Sequence, residues 1–264
     1  MFVFVFTVPY RQLRPKFGFT LKVVLQTPTV SNAVHKTAAK PVLRKTTSPQ
    51  IVTMTPLTQT LDYEIVVAHY NEPLDWLRPY AKRAGHVYHK GSNTSAPFDM
   101  KKWERLPNTG REAHTYLHHI VNYYDNLANV TVFLQGHGPQ TKDCFADVEE
   151  FLEKAMRNDF CCQHKSYANW GRIKHNGKYL QEVRAGKLRL ANLTFADFYS
   201  ALFGEEHPKS VPMCWSGCFS ALRENLCKRP LSFYQRGLSL MPNDTNPEEA
   251  HYFERLWATI VKKH

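Results

Sequence analysis

The first 61 residues contain no Asp and no Glu, although they carry eight Lys and Arg. The whole chain of 264 residues has a formal net charge of +11, from 34 basic and 23 acidic side chains. Beyond the leader, 26 basic residues face 23 acidic ones, so the excess sits on a tail. A nucleic-acid binder carries its excess as a patch or stripe on the folded part, and no nucleic-acid partner is expected here. Long apolar runs are missing too. The N-terminal MFVFVFTV is far shorter than the 20 or so residues that span a bilayer, and no later run reaches that length, so no transmembrane helix is expected. The six cysteines, Cys144, Cys161, Cys162, Cys214, Cys218 and Cys227, lack paired CxxC spacing. That excludes a zinc ribbon, and their number is too small for a disulfide scaffold. A P-loop, a GxGxxG and a GxSxG elbow are absent, which removes the common phosphate cradles and the serine-nucleophile frame.

What is present suffices for a core, with 43% hydrophobic and 13% aromatic residues. Residues 1–61 are expected to be a disordered basic leader, with the composition of an organelle-targeting segment and equally of an unstructured linker. Four Asn-x-Ser/Thr sequons, at Asn93, Asn129, Asn192 and Asn243, admit a secretory lumen as an alternative. Asn129 abuts an apolar run and is expected to be a poor acceptor. Residues 62–264 are expected to form a single α/β domain.

The folded part is organised around Leu106–His137. Ala113, Tyr116, Leu117, Ile120, Val121, Tyr124 and Leu127 recur at three and four, which predicts an amphipathic helix starting near Gly110. Thr109 and Glu112 have capping-box spacing. Val130–Leu134 then reads as a strand covered on both faces. Upstream, Glu64–Tyr70 and His86–His89 predict two more buried strands with a short helix between them. Asn93–Pro107 reads as a loop anchored by Trp103. Downstream, helices are predicted over 147–158, 194–203, 231–240 and from Pro247 onward. Residues 165–189 read mostly as loop, 211–215 as a strand, 216–218 as a tight turn and 219–227 as a helix or strand–helix. Strands alternating with helices predict a mainly parallel sheet flanked by helices.

In such sheets the loops at the carboxyl ends of the strands hold the ligand. That rule selects His69, Tyr70, Asn71 and Glu72, then His89, Lys90 and Gly91, then Gln135, Gly136 and His137. Gly110 and Arg111 add free helix N–H groups and a guanidinium, a natural site for phosphate or carboxylate. His114 and His118 stand four apart on one helix flank, as two metal ligands would. With His137 and Asp143 they define a metal-dependent hydrolase as one alternative. Glu254 lies among Tyr252, Phe253 and Trp257, whose burial of it would raise its pKa toward general-base range. Otherwise it pairs with Arg255 or Lys262.

Four blocks, VVAHYNEPLDWL (66–77), VYHKG (87–91), LPNTGREAHTYLHHIVNYYDNL with VTVFLQGH (106–137), and WSGCF…RPLSFYQRGL…HYFERLW (215–257), together resemble the family of domain of unknown function 3431 over about residues 62–261. More distantly, the chain resembles nucleotide-sugar glycosyltransferases of the GT-A fold. There a first strand ends in a polar loop, as HYNE does here, and a Gly-aromatic segment like SGCF precedes a late acidic helix like EEAHYFERLW. Where that resemblance calls for an Asp-x-Asp metal motif, Gln135-Gly136-His137 stands. It implies a nucleotide-sugar, or another anionic small molecule, as ligand. The implied contacts are Asn71, Glu72 and Lys90 to the nucleotide, Arg111 to the diphosphate, and Gln135 and His137 to the sugar or a metal. His69, Gly110, Ser216 and Gly217 are further substrate-binding residues, and Glu254, which would deprotonate the acceptor hydroxyl, and His137 are the catalytic groups. No metal ligands are assigned, and a divalent cofactor is left open. A catalytically silent anion- or sugar-binding protein of the same fold is the remaining alternative.

Overall fold

The computed structural model describes residues 62–138, 148–157, 160–161, 164–172 and 177–261. The leader and Asp143 lie outside them, and so do the readings that fall there. The chain order is β1 (Tyr63–His69), α1 (Arg78–Ala84), β2 (Gly85–His89), β3 (Lys102–Arg105), α2 (Arg111–Tyr123), β4 (Val130–Gln135), α3 (Val148–Arg157), β5 (Phe160–Cys161), β6 (His164–Tyr167), α4 (Gly177–Arg184), α5 (Phe195–Phe203), β7 (Val211–Cys214), β8 (Phe219–Leu222), α6 (Arg223–Leu226), α7 (Leu231–Ser239) and α8 (Glu248–Val261). No helix among the described residues is long and apolar enough to cross a membrane.

The main sheet runs β3-β2-β1-β4-β8-β5. β1 pairs in parallel with β2 and β4, and β2 with β3, whereas β8 is antiparallel to both β4 and β5. Alternate residues of one strand serve opposite faces because successive side chains point opposite ways. Thus Ile65 and Val67 of β1, with Val132 and Leu134 of β4, meet Leu77, Ala81 and Ala84 around α1 and Phe151 of α3. Val66, Tyr88 and Phe133 point the other way, into a core closed by α2, α5, α7 and α8. The result is a three-layer α/β arrangement with a mostly parallel sheet. The hydrophobic stripe of α2 does what its spacing predicts: Ala113, Tyr116, Leu117 and Ile120 are all fully buried.

Several local expectations need correcting. The 93–107 loop contains the edge strand β3, whose sequence KWER has too little apolar character to announce a strand that is buried on neither face. Residues 165–189 hold most of β6 and all of α4, and the 211–215 strand pairs with β6 in a separate two-stranded sheet. The capping box is not formed. Gly110 is the N-cap of α2, in the left-handed region at φ 58°, without a side-chain cap. Its own N–H goes to Asp244 O at 2.7 Å, so the loop before α8 anchors this turn where a threonine hydroxyl was expected. All four sequon asparagines are exposed, Asn129 among them. Cys214, which is buried, and Cys227, which is exposed, are not in disulfides, whereas Cys218 is disulfide-bonded.

Candidate active site

β1 and β4 are neighbours, yet the chain leaves β1 toward β2 and returns to β4 on the other side. Such a reversal of strand order leaves a crevice beyond the carboxyl ends. A cavity of about 280 Å³ occupies it. Six predicted site residues line the cavity: His69 from β1, Glu72 and Lys90 just beyond β1 and β2, Arg111 from α2, and Gln135 and His137 around the end of β4. Tyr70, selected by the strand-end rule, lines it too. Asn108, Glu112 and Thr245 are lining residues that sequence reasoning did not assign to the site. Glu112 had a signal, as the second residue of a helix already flagged at its tip. Thr245 had none, because only the fold brings it to that tip.

The other predicted residues stand behind the wall. Asn71 is exposed and its Oδ1 accepts from the Ser92 N–H at 3.2 Å. Gly110 is buried, and a Cβ there would meet His114 Cβ at 2.8 Å. Ser216 connects two parts of the fold: its carbonyl accepts from Gln135 Nε2 at 2.8 Å, and its N–H donates to Glu254 Oε1 at 3.0 Å. A Cβ on Gly217 would lie 3.5 Å from the Glu112 side chain. Glu254, the expected base, is therefore absent from the lining, to which hydrogen bonds through Ser216 and Gln135 connect it. Its other oxygen pairs with Arg255 Nη1 at 3.4 Å, as the ion-pair reading anticipated. Burial nevertheless raises its pKa, against the pull of Arg255 and with the help of Glu112.

His69 is locked in place. Its Nε2 donates to the Glu72 carbonyl at 2.9 Å, and its Nδ1 meets His89 Nδ1 at 2.9 Å. A carbonyl only accepts, so in a neutral His69 the proton is on Nε2 and the proton shared with His89 belongs to His89. Burial and the neighbouring His69 lower the pKa of His89, which stacks on Trp103 at 4.8 Å. With both nitrogens engaged, His69 is a fixed wall and has no lone pair to offer a substrate.

Lys90 ties the end of β2 to the start of α2. Its Nζ donates to Thr109 O at 2.7 Å and to Arg111 O. Burial pulls its pKa down to about 7, against the attraction of Glu112, with Arg111 lowering it further. Arg111 Nε lies 3.5 Å from Glu112 Oε2, and Nη1 donates to Asn246 Oδ1 at 3.3 Å. The cavity thus sets Lys90 and Arg111 beside Glu72 and Glu112, with an amide and an imidazole at the rim. Such a wall suits a small molecule with both anionic and hydroxyl groups. His137 is exposed. The rings of His114 and His118 lie 6.1 Å apart, and with His137 they form no group of close ligand atoms among the described residues.

No curated protein and no solved structure matches the chain. A family model does, over residues 65–264, and its description is Protein of unknown function (DUF3431). Matching about three quarters of the chain, from Ile65 in β1 to residue 264, it shows that the chain belongs to the DUF3431 family.

Proposed function

We propose that this protein is a glycosyltransferase-like enzyme that moves a sugar from a nucleoside-diphosphate donor to a hydroxyl acceptor. The observation that carries the reading is the convergence of six predicted residues from separate segments on one cavity at the strand-order reversal, beside the start of α2. The 3-2-1-4 run of parallel strands is a nucleotide-binding order, in keeping with the GT-A resemblance. The cavity is at the small end of ligand sites, so the sugar diphosphate enters it and the nucleoside lies across the open strand ends.

In the proposed step, the bond from the sugar's anomeric carbon to the diphosphate breaks with its electron pair on the leaving oxygen. Arg111, Lys90 and the positive end of α2 stabilise that charge. Gln135-Gly136-His137 lacks the carboxylate oxygens that a hard divalent cation on a diphosphate prefers, and in the proposed step Arg111 and Lys90 do this work. The acceptor oxygen bonds to the anomeric carbon and its proton passes to a carboxylate. We assign that role to Glu112, which lines the cavity, and make Glu254 a positioning residue acting through Ser216 and Gln135.

Titration calorimetry and thermal shift with a panel of nucleoside diphosphates and their sugars test the reading. Binding of at least one, weakened in Arg111→Ala, is expected. No stabilisation by any nucleoside diphosphate would overturn it. Binding without transfer would favour the silent binding protein, a reading helped by the position of Glu254 behind the wall.

A further inference from the structure

On the α2 side of the sheet, toward the start of β1 and away from the cavity, three side chains from three elements converge: Glu64 of β1, His86 of β2 and His119 of α2. His86 and His119 are fully buried and Glu64 is 7% exposed. His86 Nδ1 lies 3.4 Å from Glu64 Oε1, and His119 Nε2 lies 3.6 Å from Glu64 Oε2. Both separations are longer than an N–H···O hydrogen bond of about 2.7–3.2 Å, and neither ring nitrogen has a hydrogen-bond partner. The first is close to the edge of a tetrahedron drawn around an ion with bonds of about 2.0–2.1 Å, roughly 3.3–3.4 Å, and the second is slightly longer. One ligand atom from each of the three residues lies within 4.8 Å of the other two.

The remaining ring nitrogens explain which atoms face inward. His86 Nε2 meets Glu104 Oε1 at 2.8 Å, and an ionised carboxylate only accepts, so Nε2 carries the proton of the neutral ring. Its Nδ1 then presents a bare lone pair to the Glu64 carboxylate. His119 Nδ1 lies 3.0 Å from the Tyr88 hydroxyl, which can donate or accept, so His119 can turn either an N–H or, by donating through Nδ1, a bare Nε2 toward Glu64. The His86 lone pair aimed at a carboxylate repels it, and a cation among the three, with His119 in the tautomer that bares Nε2, turns every contact attractive. Glu104 is itself fixed by Tyr123 Oη at 3.0 Å and Lys102 Nζ at 2.7 Å. A carboxylate behind a ligating imidazole is the outer support that metal sites use to orient histidines. Lys101 Nζ reaches Glu64 Oε1 at 3.0 Å from a side chain that is 42% exposed, and an ion bound to that oxygen would displace it toward solvent.

We propose that Glu64, His86 and His119 bind one divalent transition-metal ion, zinc by preference, as a structural clamp of α2 onto β1 and β2. Two imidazoles with one carboxylate favour zinc over magnesium or calcium, which take oxygen ligands. The ion fixes the helix whose first turn forms part of the cavity wall. The proposal does not rest on the transferase reading, since none of its ligands lines the cavity. Its competitor is a doubly protonated His86 bridging Glu64 and Glu104, which holds no metal.

The test uses the full chain, purified without a metal-binding tag, stripped with chelator and titrated with zinc or cobalt(II). One equivalent bound per chain, a rise in melting temperature and a cobalt ligand-field spectrum are expected. His86→Gln and His119→Gln should each weaken binding by more than roughly 100-fold, beyond what loss of an outer support alone costs. His137→Ala should leave uptake unchanged. A stripped wild-type chain that takes up no zinc would overturn the proposal, as would full uptake by the H86Q/H119Q double variant. Should the variants not fold, the wild-type stoichiometry decides alone.

Discussion

Gln135 Nε2 donates to the carbonyl of Ser216 at 2.8 Å, across 81 positions of sequence, and so fastens the end of the central strand β4 to the turn that holds Glu254. Gln135→Ala removes one hydrogen bond and leaves a carbonyl unpaired, at a cost of about 1 kcal/mol. If Glu254 acts through this link, turnover with a nucleotide-sugar falls while donor affinity changes little. Urea melts and a kcat against KM comparison check both parts.

Arg111 extends into the cavity with a side chain that is 41% exposed. Arg111→Ala is expected to leave stability within about 0.5 kcal/mol, as for other exposed positions. The loss of a charged hydrogen bond to a diphosphate is worth about 1.5–3 kcal/mol, so affinity should drop by roughly 10- to 150-fold. Calorimetry measures the drop. An unchanged affinity would place the anion elsewhere.

Lys90 gives a pH dependence with a definite sign. Burial lowers its pKa to about 7, whereas in the unfolded chain it stays near the usual lysine value. Between these two values the unfolded chain binds more protons, so this residue's contribution makes stability rise as pH rises above about 7, and below that its full desolvation cost is present. An anion in the cavity favours charged Lys90. Nucleoside-diphosphate binding should therefore take up protons near and above pH 7, and affinity should weaken as pH rises further. Calorimetry in buffers of different ionisation enthalpy reads the uptake, which Lys90→Met should remove.

Gly91 holds the ends of β1 and β2 together. A Cβ there would stand 2.0 Å from the Tyr70 carbonyl oxygen and 2.2 Å from Asn71 Oδ1. The first of these atoms is backbone and cannot rotate away. Gly91→Ala is expected to destabilise by about 1–3 kcal/mol, the usual cost of overpacking, and to disturb the His69 side of the cavity. Chemical denaturation of the variant gives the number.

The lining of the cavity is partly legible in the sequence. His69, Glu72, Lys90, Gln135 and His137 follow strands whose apolar runs are plain, and parallel sheets place ligands at those ends. Arg111 was found by helix periodicity with a glycine before it. His114 and His118 have metal-ligand spacing but gather no third ligand among the described residues, whereas His86 and His119, which no spacing connects, approach Glu64 from different elements. Glu112 was read as half of a capping box, and the left-handed Gly110 frees its carboxylate to face the cavity instead.

By itself the sequence determined the elements with strong local signals: the stripe on α2, the buried runs of β1, β2 and β4, and the two closing helices α7 and α8. These depend on interactions a few residues long, which periodicity records. Only the tertiary structure decided that β8 runs antiparallel beside β4, that Thr245 reaches the tip of α2, and that Glu254 stands behind the wall. Each of those depends on pairing between segments far apart in the chain, where geometry and desolvation act between residues that no local spacing connects.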